Sequence, residues 1–194
     1  MPSQHPQAKP PTPVTPKGRG TKEGLLKAGE AVAERDGLAG LSVAAVTAQA
    51  GVAKGTFYLY FPDRDTFVDA LHQRFYEQVS DAVGEAVAGL GPGRDLLVAA
   101  IEAYLDVCLA NHAVKALIFE TRAHGSLTGA MQERVALLAN LAEPSVQALG
   151  LTPTKISSRL ILALTSEAAL IELEAGRKVP AARRTIRALL DTVP

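Results

Sequence analysis

The residues best suited to chemistry in this sequence lie between positions 54 and 64, in the segment KGTFYLYFPDR, and the chemistry they suit is contact with nucleic acid. Phe57 and Phe61 are four residues apart, so they share one face of a short helix and turn inward. Hydroxyl groups on the other faces suit phosphate and base-edge contacts in the major groove of DNA. The side chains that carry them are Thr56, Tyr58 and Tyr60.

A second short helix must precede this one and hold it in place. Ser42 is a suitable N-cap, and apolar residues follow it at core spacing. Gly51 then permits the left-handed backbone that a sharp bend between two helices requires. Together the two helices predict a helix-turn-helix unit. The apolar residues of the first helix are Val43, Val46 and Ala50.

The stretch GVAKGTFYLYFPDRDTF resembles the signature of the TetR family of transcriptional regulators, whose usual form is close to GVSKGTLYYHFPSKEEL. The resemblance extends over roughly residues 21–67. The sequence departs from it at Leu59 and Tyr60, where the family often has Tyr and His, and at Arg64, which replaces a phosphate-contacting Lys. The matching positions are Gly51, Val52, Lys54, Gly55, Thr56, Tyr58 and Phe61.

The pattern and the resemblance together give candidate partners and candidate DNA contacts. The resemblance implies a homodimer that binds a palindromic, double-stranded DNA operator as a repressor and that a small-molecule effector releases. The candidate DNA-binding residues are Ser42, Thr47, Lys54, Gly55, Thr56, Tyr58, Leu59, Tyr60 and Arg64.

The charge of the chain bears on the nucleic-acid hypothesis. The formal net charge of the 194 residues is zero, which by itself argues against such a partner. The cations are unevenly placed, however, because residues 1–20 carry Lys9, Lys17 and Arg19 and no acid, and Lys54 and Arg64 lie near the turn. A local basic patch of this kind can bind DNA without a basic isoelectric point.

Several features predict a soluble, cytoplasmic protein. Cys108 is the only cysteine, which excludes an internal disulfide and fits a reducing compartment. The proline-rich start lacks the apolar run of a signal peptide. No segment approaches the roughly 20 apolar residues needed to cross a bilayer. We therefore expect no membrane partner, and we expect neither a metal nor a cofactor.

The rest of the chain reads as helix. No segment alternates with a period of two, so we predict an all-α fold of about nine helices. The predicted divisions are a disordered basic arm over residues 1–20, a helix-turn-helix DNA-binding domain over 21–67, and a helical ligand-binding and dimerisation domain over 68–194. Asp63 is a suitable N-cap for the next helix, which is long enough to connect the domains. Its apolar face is Phe67, Leu71, Phe75 and Val79.

The last two helices predict the dimer. Residues 160–173, LILALTSEAALIEL, are apolar on nearly every side and must be covered. Such surfaces fit either the core of one chain or a four-helix interface between two copies, and the resemblance favours the interface. The stripe on the final helix is Ala182, Ile186, Leu189, Leu190 and Val193.

A candidate effector site lies in the C-terminal domain. Tyr104, Cys108 and His112 are spaced by four and are predicted to share one helical face. An apolar helical cavity with a few polar groups suits an apolar or amphipathic small molecule. The alternative is that Tyr104 fills the core and His112 is solvated. The candidate ligand-binding residues are Tyr104, Cys108, His112, Phe119 and Thr165.

We predict no catalytic activity. His112, Glu120 and His124 are the nearest approach to a metal cluster, but His112 is more than two helical turns from the other two. HExxH spacing, a Gly-rich phosphate loop and a GxSxG elbow are absent from the sequence. The remaining alternative is a ligand-independent, dimeric DNA-binding protein. A fully packed C-terminal interior would favour it, and a sizeable cavity would oppose it.

Overall fold

In the computed structural model of the protein, the backbone is described for residues 16–123 and 129–191, and side chains for residues 18–116, 118, 133 and 136–191. All regular structure in these ranges is helical, which confirms the all-α prediction. None of the helices in them combines the length and apolar character that crossing a bilayer requires. The helices are α1 (Pro16–Gly40), α2 (Val43–Ala50), α3 (Lys54–Tyr58), α4 (Arg64–Ala86), α5 (Arg94–Ala110), α6 (His112–Ala123), α7 (Gly129–Ala148), α8 (Thr154–Ala175) and α9 (Pro180–Asp191).

The N-terminal helices differ from prediction at their ends. Helix α1 begins at Pro16, inside the segment predicted to be a disordered arm, and residues 1–15 lie outside the described ranges. It is kinked at Gly37, whose backbone is left-handed in φ (63°), and continues to Gly40. Helix α3 stops at Tyr58 rather than Phe61. Phe61 precedes a proline, and a residue in that position is disfavoured in helical conformation.

The first hydrophobic core joins α1, α2, α3 and the start of α4 into a unit that we call the head. Three aromatic rings form its centre: Phe57 lies 5.4 Å from Phe61 and 5.2 Å from Phe67, centroid to centroid. Aromatic pairs at these separations add stability beyond the area they bury. Leu25, Val32, Leu41, Val46 and Leu71 complete the core around them.

A second core holds the remaining helices, which we call the body, and α4 belongs to both. Phe67 and Leu71 of α4 are buried in the head, whereas Phe75 and Val79 of the same face are buried in the body. The apolar face predicted for α4 is therefore buried along its length, first in the core of the head and then in the core of the body. Because one rigid helix is packed into both domains, a displacement of α4 in the body also displaces the head.

An ion-pair network fixes α9 to the body. The Arg183 guanidinium donates two hydrogen bonds to the buried Glu172 carboxylate, at 2.8 and 2.7 Å, and also pairs with Asp106 at 2.7 Å. Burial alone would raise the pKa of Glu172, but Arg183 and the Val179 amide together hold it below its usual value. These ion pairs therefore hold α9 against helices α5 and α8 of the same chain.

Candidate nucleic-acid interface

The turn between α2 and α3 has the geometry that its sequence predicts. The Ser42 hydroxyl accepts a hydrogen bond from the Ala45 amide at 3.2 Å and so caps α2. Gly51 ends that helix in the left-handed region, at φ 66° and ψ 31°. A side chain there would strain the backbone, which is why glycine suits this bend.

Helix α3 divides into a buried face and an open face. Phe57 is fully buried, while 55% of Tyr58 and 77% of Leu59 is exposed. Lys54 and Gly55 are also exposed, and Thr56 and Tyr60 are half-buried beside them. Two neighbouring large side chains are thus exposed on α3, close to the exposed Lys54. The open face of α3 is the candidate contact surface.

Gly55 is not required by the fold itself. It lies within α3, and a Cβ atom built on it would meet no atom within 4 Å outside its immediate surroundings. Glycine in a helix costs roughly 0.5–1 kcal/mol relative to alanine. The packing of the chain therefore does not explain why glycine stands at this position.

Thr47 is removed from the candidate contact surface. Only 4% of the residue is exposed, and its hydroxyl donates to the carbonyls of Val43, at 2.8 Å, and Ala44, at 3.2 Å. A threonine on the inner face of a helix satisfies its hydroxyl in this way. Its role is structural.

Arg64 also has a structural role that the sequence did not reveal. Its guanidinium donates to the carbonyl of Leu41 at 2.6 Å and to that of Leu38 at 2.8 Å. These carbonyls belong to the connection between α1 and α2, so Arg64 ties the start of α4 to that connection. The side chain remains 40% exposed, which leaves part of its charge at the surface.

A further cation at this surface was not predicted. The ammonium of Lys22, an exposed residue near the start of α1, lies 5.7 Å from the centroid of the Phe61 ring. This contact places a positive charge beside the end of α3. The sequence signal was a basic residue in the first helix, but only the packing of that helix shows which side of the head it joins.

Acidic residues of the head are held by partners of their own. Arg74 of α4 reaches Glu23 at 2.5 Å and Glu30 at 3.0 Å, both on α1. The hydrogen bond from Arg74 lowers the pKa of Glu23. Asp63 caps α4 by accepting from the Thr66 amide at 2.7 Å, as predicted. The Arg74 guanidinium thus partly neutralises Glu23 and Glu30, whereas the amide hydrogen bond keeps Asp63 ionised.

Two candidate effector residues, Cys108 and Thr165, lie in packed surroundings. Cys108 is 1% exposed within the body core, and burial raises the pKa of its thiol, which suits inert packing. Thr165 is also buried, and its hydroxyl donates to the Ile161 carbonyl of its own helix. The side chain of Phe119, a further candidate, lies outside the described residues.

The Tyr104 hydroxyl is paired with a buried cation that the sequence analysis did not single out. It accepts from the ammonium of Lys115, a residue only 1% exposed, whose nitrogen also lies 5.0 Å from the Tyr104 ring centroid. A lysine in an apolar helix usually indicates a solvated face, so its burial could not be read from the sequence.

His112 does not share a face with Tyr104 and Cys108, contrary to prediction. The four-residue spacing assumes one helix, but α5 ends at Ala110 and α6 begins at His112. Asn111 between them donates its side-chain amide to the Val107 carbonyl at 3.0 Å. His112 is turned outward, where its Nε2 lies 2.5 Å from the carboxylate of Glu34 on α1.

The two best-formed pockets among the described residues lie elsewhere. One, between α5 and α9, has no room for a water molecule. The other has a volume of about 270 Å³ and lies between α1 and the start of α6. Neither is lined by Tyr104 or Cys108. In the part of the body whose side chains are described, no group of three His, Cys, Asp or Glu residues could hold a metal ion.

Comparison with known proteins agrees with this architecture. Residues 25–71 match the family described as bacterial regulatory proteins, tetR family. A TetR-like transcriptional regulator from Rhodococcus sp. RHA1 is 19% identical, with a TM-score of 0.75 over 88% of this chain and 93% of that one. Another transcriptional regulator from the same organism is also 19% identical, with a TM-score of 0.74 over 89% and 95%. No curated protein sequence matches the chain.

The head is therefore similar in sequence to the tetR family of bacterial regulatory proteins over residues 25–71, and the chain shares the fold of TetR-like transcriptional regulators.

Proposed function

We propose that this protein is a homodimeric repressor that binds a palindromic DNA operator through α3 and is released by a small molecule. The observation that carries the proposal is the division of α3 into two faces. The Phe57 side chain is fully buried in the head, while Leu59 and Tyr58, whose ring edge contacts Phe57 at a centroid distance of 5.6 Å, are exposed. A second helix held this way can enter a major groove with its outer side chains on the bases.

Each candidate contact has a role in this proposal. Thr56, Tyr58 and Leu59 face the bases, and Tyr60 and Gly55 allow a close approach of the sugar-phosphate backbone. The ammonium groups of Lys54 and Lys22 neutralise phosphates, which positions the head without reading sequence. Ser42 and Arg64 act mainly by holding the helices in place, since the groups that would reach DNA are bonded within the head.

The proposed dimer interface is an apolar stripe on α8. Ile156, Leu160 and Ile171 follow one another at helical spacing and are 58%, 64% and 39% exposed. Leu189 of α9 is 48% exposed and adds to this surface. An exposed stripe of this kind is well explained by a second copy of the chain.

The predicted interface on α9 needs correction. Ile186 and Leu190 are 3% and 5% exposed and belong to the body core of their own chain. The stripe on α9 therefore packs mainly within one chain, and Val193 lies outside the described residues. The spacing of apolar residues predicts that one face of a helix is buried, but it does not predict whether the same chain or a second copy buries it.

Release by an effector would act through α4 and the contact between α1 and α6. A ligand that binds one head–body arrangement better than another shifts the protein toward it, and DNA affinity changes by the ratio of the two ligand affinities. The second candidate function, ligand-independent DNA binding, is favoured by the dense packing around Cys108.

A matched pair of substitutions tests the reading face. Tyr58→Ala should weaken binding to a duplex selected by the parent protein, while loss of its ring contact with Phe57 should cost only about 0.5–1.5 kcal/mol of stability. Phe57→Ala should cost about 3–5 kcal/mol of stability, because it truncates a fully buried ring. Fluorescence anisotropy and urea denaturation measure the two effects. If Tyr58→Ala binds the duplex like the parent, α3 is not the reading helix.

A further inference from the structure

The exposed face of α8 carries two charges as well as its apolar stripe. Ile156, Leu160 and Ile171 form the stripe, and they are 58%, 64% and 39% exposed. Helical spacing places Glu167 within the stripe and Arg159 at its edge, and both of these side chains are exposed. A partner that covers the stripe therefore also meets a carboxylate and a guanidinium.

Neither charge is neutralised within its own chain. The residues three and four positions from Arg159 are apolar or basic, and those three and four positions from Glu167 are all apolar, so α8 offers neither of them an ion-pair partner. The two charges are also about 12 Å apart along the helix, too far to pair with each other. Neither forms an ion pair with another described residue. Both are therefore available to a partner molecule.

The face is nearly symmetric about Ala163, an exposed residue with a small side chain. Arg159 precedes Ala163 by four residues, and Glu167 follows it by four. Ile156 precedes it by seven residues, and Ile171 follows it by eight. When the helix is turned end over end about Ala163, each isoleucine therefore takes the place of the other, and each charge takes the place of its opposite.

A second copy of α8, laid antiparallel across Ala163, fits this pattern. In an interface with two-fold symmetry, the contact of one residue with another is repeated with the two copies exchanged. Arg159 then lies opposite the partner's Glu167, and this pair forms twice. The small side chain of Ala163 lets the two helices approach closely where they cross.

Other ways of covering the stripe leave the charges unfavourably placed. Two copies of α8 in parallel would bring Glu167 against the partner's Glu167 and Arg159 against the partner's Arg159, and like charges in contact weaken association. An unrelated, wholly apolar helix would remove both charges from water without pairing them, which is also costly. The pattern therefore favours a second copy of this chain, in antiparallel orientation.

We propose that α8 recognises a second copy of itself by crossing it at Ala163 in antiparallel orientation, and that reciprocal ion pairs between Arg159 and Glu167 select this orientation. The inference rests on the proposed homodimer and adds the register of its interface. The apolar stripe supplies the attraction between the copies. The two charges determine specificity, because they oppose parallel pairing and pairing with helices that lack the same pattern.

Charge reversal in the full chain tests this register. Glu167→Arg places two guanidinium groups at each contact, and Arg159→Glu places two carboxylates there. We expect each single variant to raise the dimer dissociation constant about a hundredfold or more in sedimentation equilibrium. Both positions are exposed within one chain, so circular dichroism should show the helix content of the parent. Glu174→Arg, at an exposed position beyond the end of the stripe, is the matched control and should dimerise like the parent.

Two recombinations of these changes restore the opposite charges. The double variant with Arg159→Glu and Glu167→Arg should regain the dissociation constant of the parent, because each contact again joins a guanidinium to a carboxylate. An equimolar mixture of the two single variants should form heterodimers, because each chain supplies the charges that the other lacks.

The outcomes separate the register from the dimer itself. A parent that remains monomeric at every concentration overturns the homodimer, and this inference with it. A dimeric parent whose single variants dimerise equally well overturns the register and leaves the homodimeric repressor intact, as does a double variant that stays monomeric. Monomeric single variants that form heterodimers when mixed, together with a dimeric double variant, support the register.

Discussion

At the scale of single residues, the candidate DNA surface consists of side chains that the isolated fold does not need. Tyr58 and Leu59 bury little of their apolar surface, and the open space around Gly55 would admit a side chain. Exposed apolar surface lowers solubility, and glycine in a helix lowers stability. Because Tyr58, Leu59 and Gly55 all lie on α3, a partner that covers this helix would offset these effects.

Gly55 gives the clearest test at this scale. Gly55→Ala should raise the unfolding free energy by roughly 0.5–1 kcal/mol, because alanine favours helix and no atom obstructs the new methyl group. It should at the same time weaken duplex binding by obstructing close approach. Gly84→Ala is the matched control, since that exposed glycine of α4 also has open space around it and lies away from the head. The control should gain stability without losing DNA affinity.

At the scale of elements, α4 is the component on which both domains depend. Its first turn is fixed by the Asp63 cap and by the two hydrogen bonds from Arg64 to the connection between α1 and α2. Its face then passes from the head core at Phe67 to the body core at Phe75. Arg64 therefore fixes the start of α4 against the connection between α1 and α2, and it also contributes to surface charge.

Arg64 separates these two contributions. Arg64→Lys keeps the charge but loses the forked geometry, so we expect a loss of about 1–3 kcal/mol of stability from the carbonyls left unpaired. The salt dependence of DNA binding should stay close to that of the parent. Lys54→Ala should do the opposite, lowering the salt slope by about one with little change in stability. Unchanged denaturation of Arg64→Lys would contradict the structural role.

The predictions that held from sequence depend on local geometry. The cap at Asp63, the left-handed Gly51 and the inward face of α4 follow from spacing within one helix or one turn. The predictions that failed require knowledge of neighbours. His112 does not lie on the face of Tyr104 because helix α5 ends at Ala110 and a new helix begins at His112. Thr47 is buried because its side of α2 packs against the rest of the head. Helical spacing alone determines neither.

At the scale of the whole molecule, the apolar face of α9 is buried within its own chain, whereas the apolar stripe of α8 is exposed. Ile186 is packed into the core of its own chain, and Arg183 attaches α9 to the body through Glu172 and Asp106. The α8 stripe at Ile156 and Leu160 remains exposed. The dimer proposed here therefore uses α8 as its main contact surface.

Charge substitutions distinguish interface from core. Leu160→Glu should give a folded monomer in sedimentation velocity, because pairing would bury an unpaired carboxylate. Ile186→Glu should instead lower the unfolding free energy of the chain itself, since this position is 3% exposed within one copy. Glu174→Arg, at an exposed position beyond the end of the stripe, is the charge control and should remain dimeric. A monomeric parent protein would contradict the proposed interface.

Two copies of α3 that bind a palindromic DNA sequence can be detected by selection from a library of random duplexes, with sequencing of the bound fraction. We expect an enriched inverted repeat whose half-sites are centred about one helical turn apart, ~34 Å, or somewhat more. We also expect that Tyr58→Ala loses this enrichment. Enrichment of a single unrepeated motif, or none beyond that obtained with Tyr58→Ala, would contradict it.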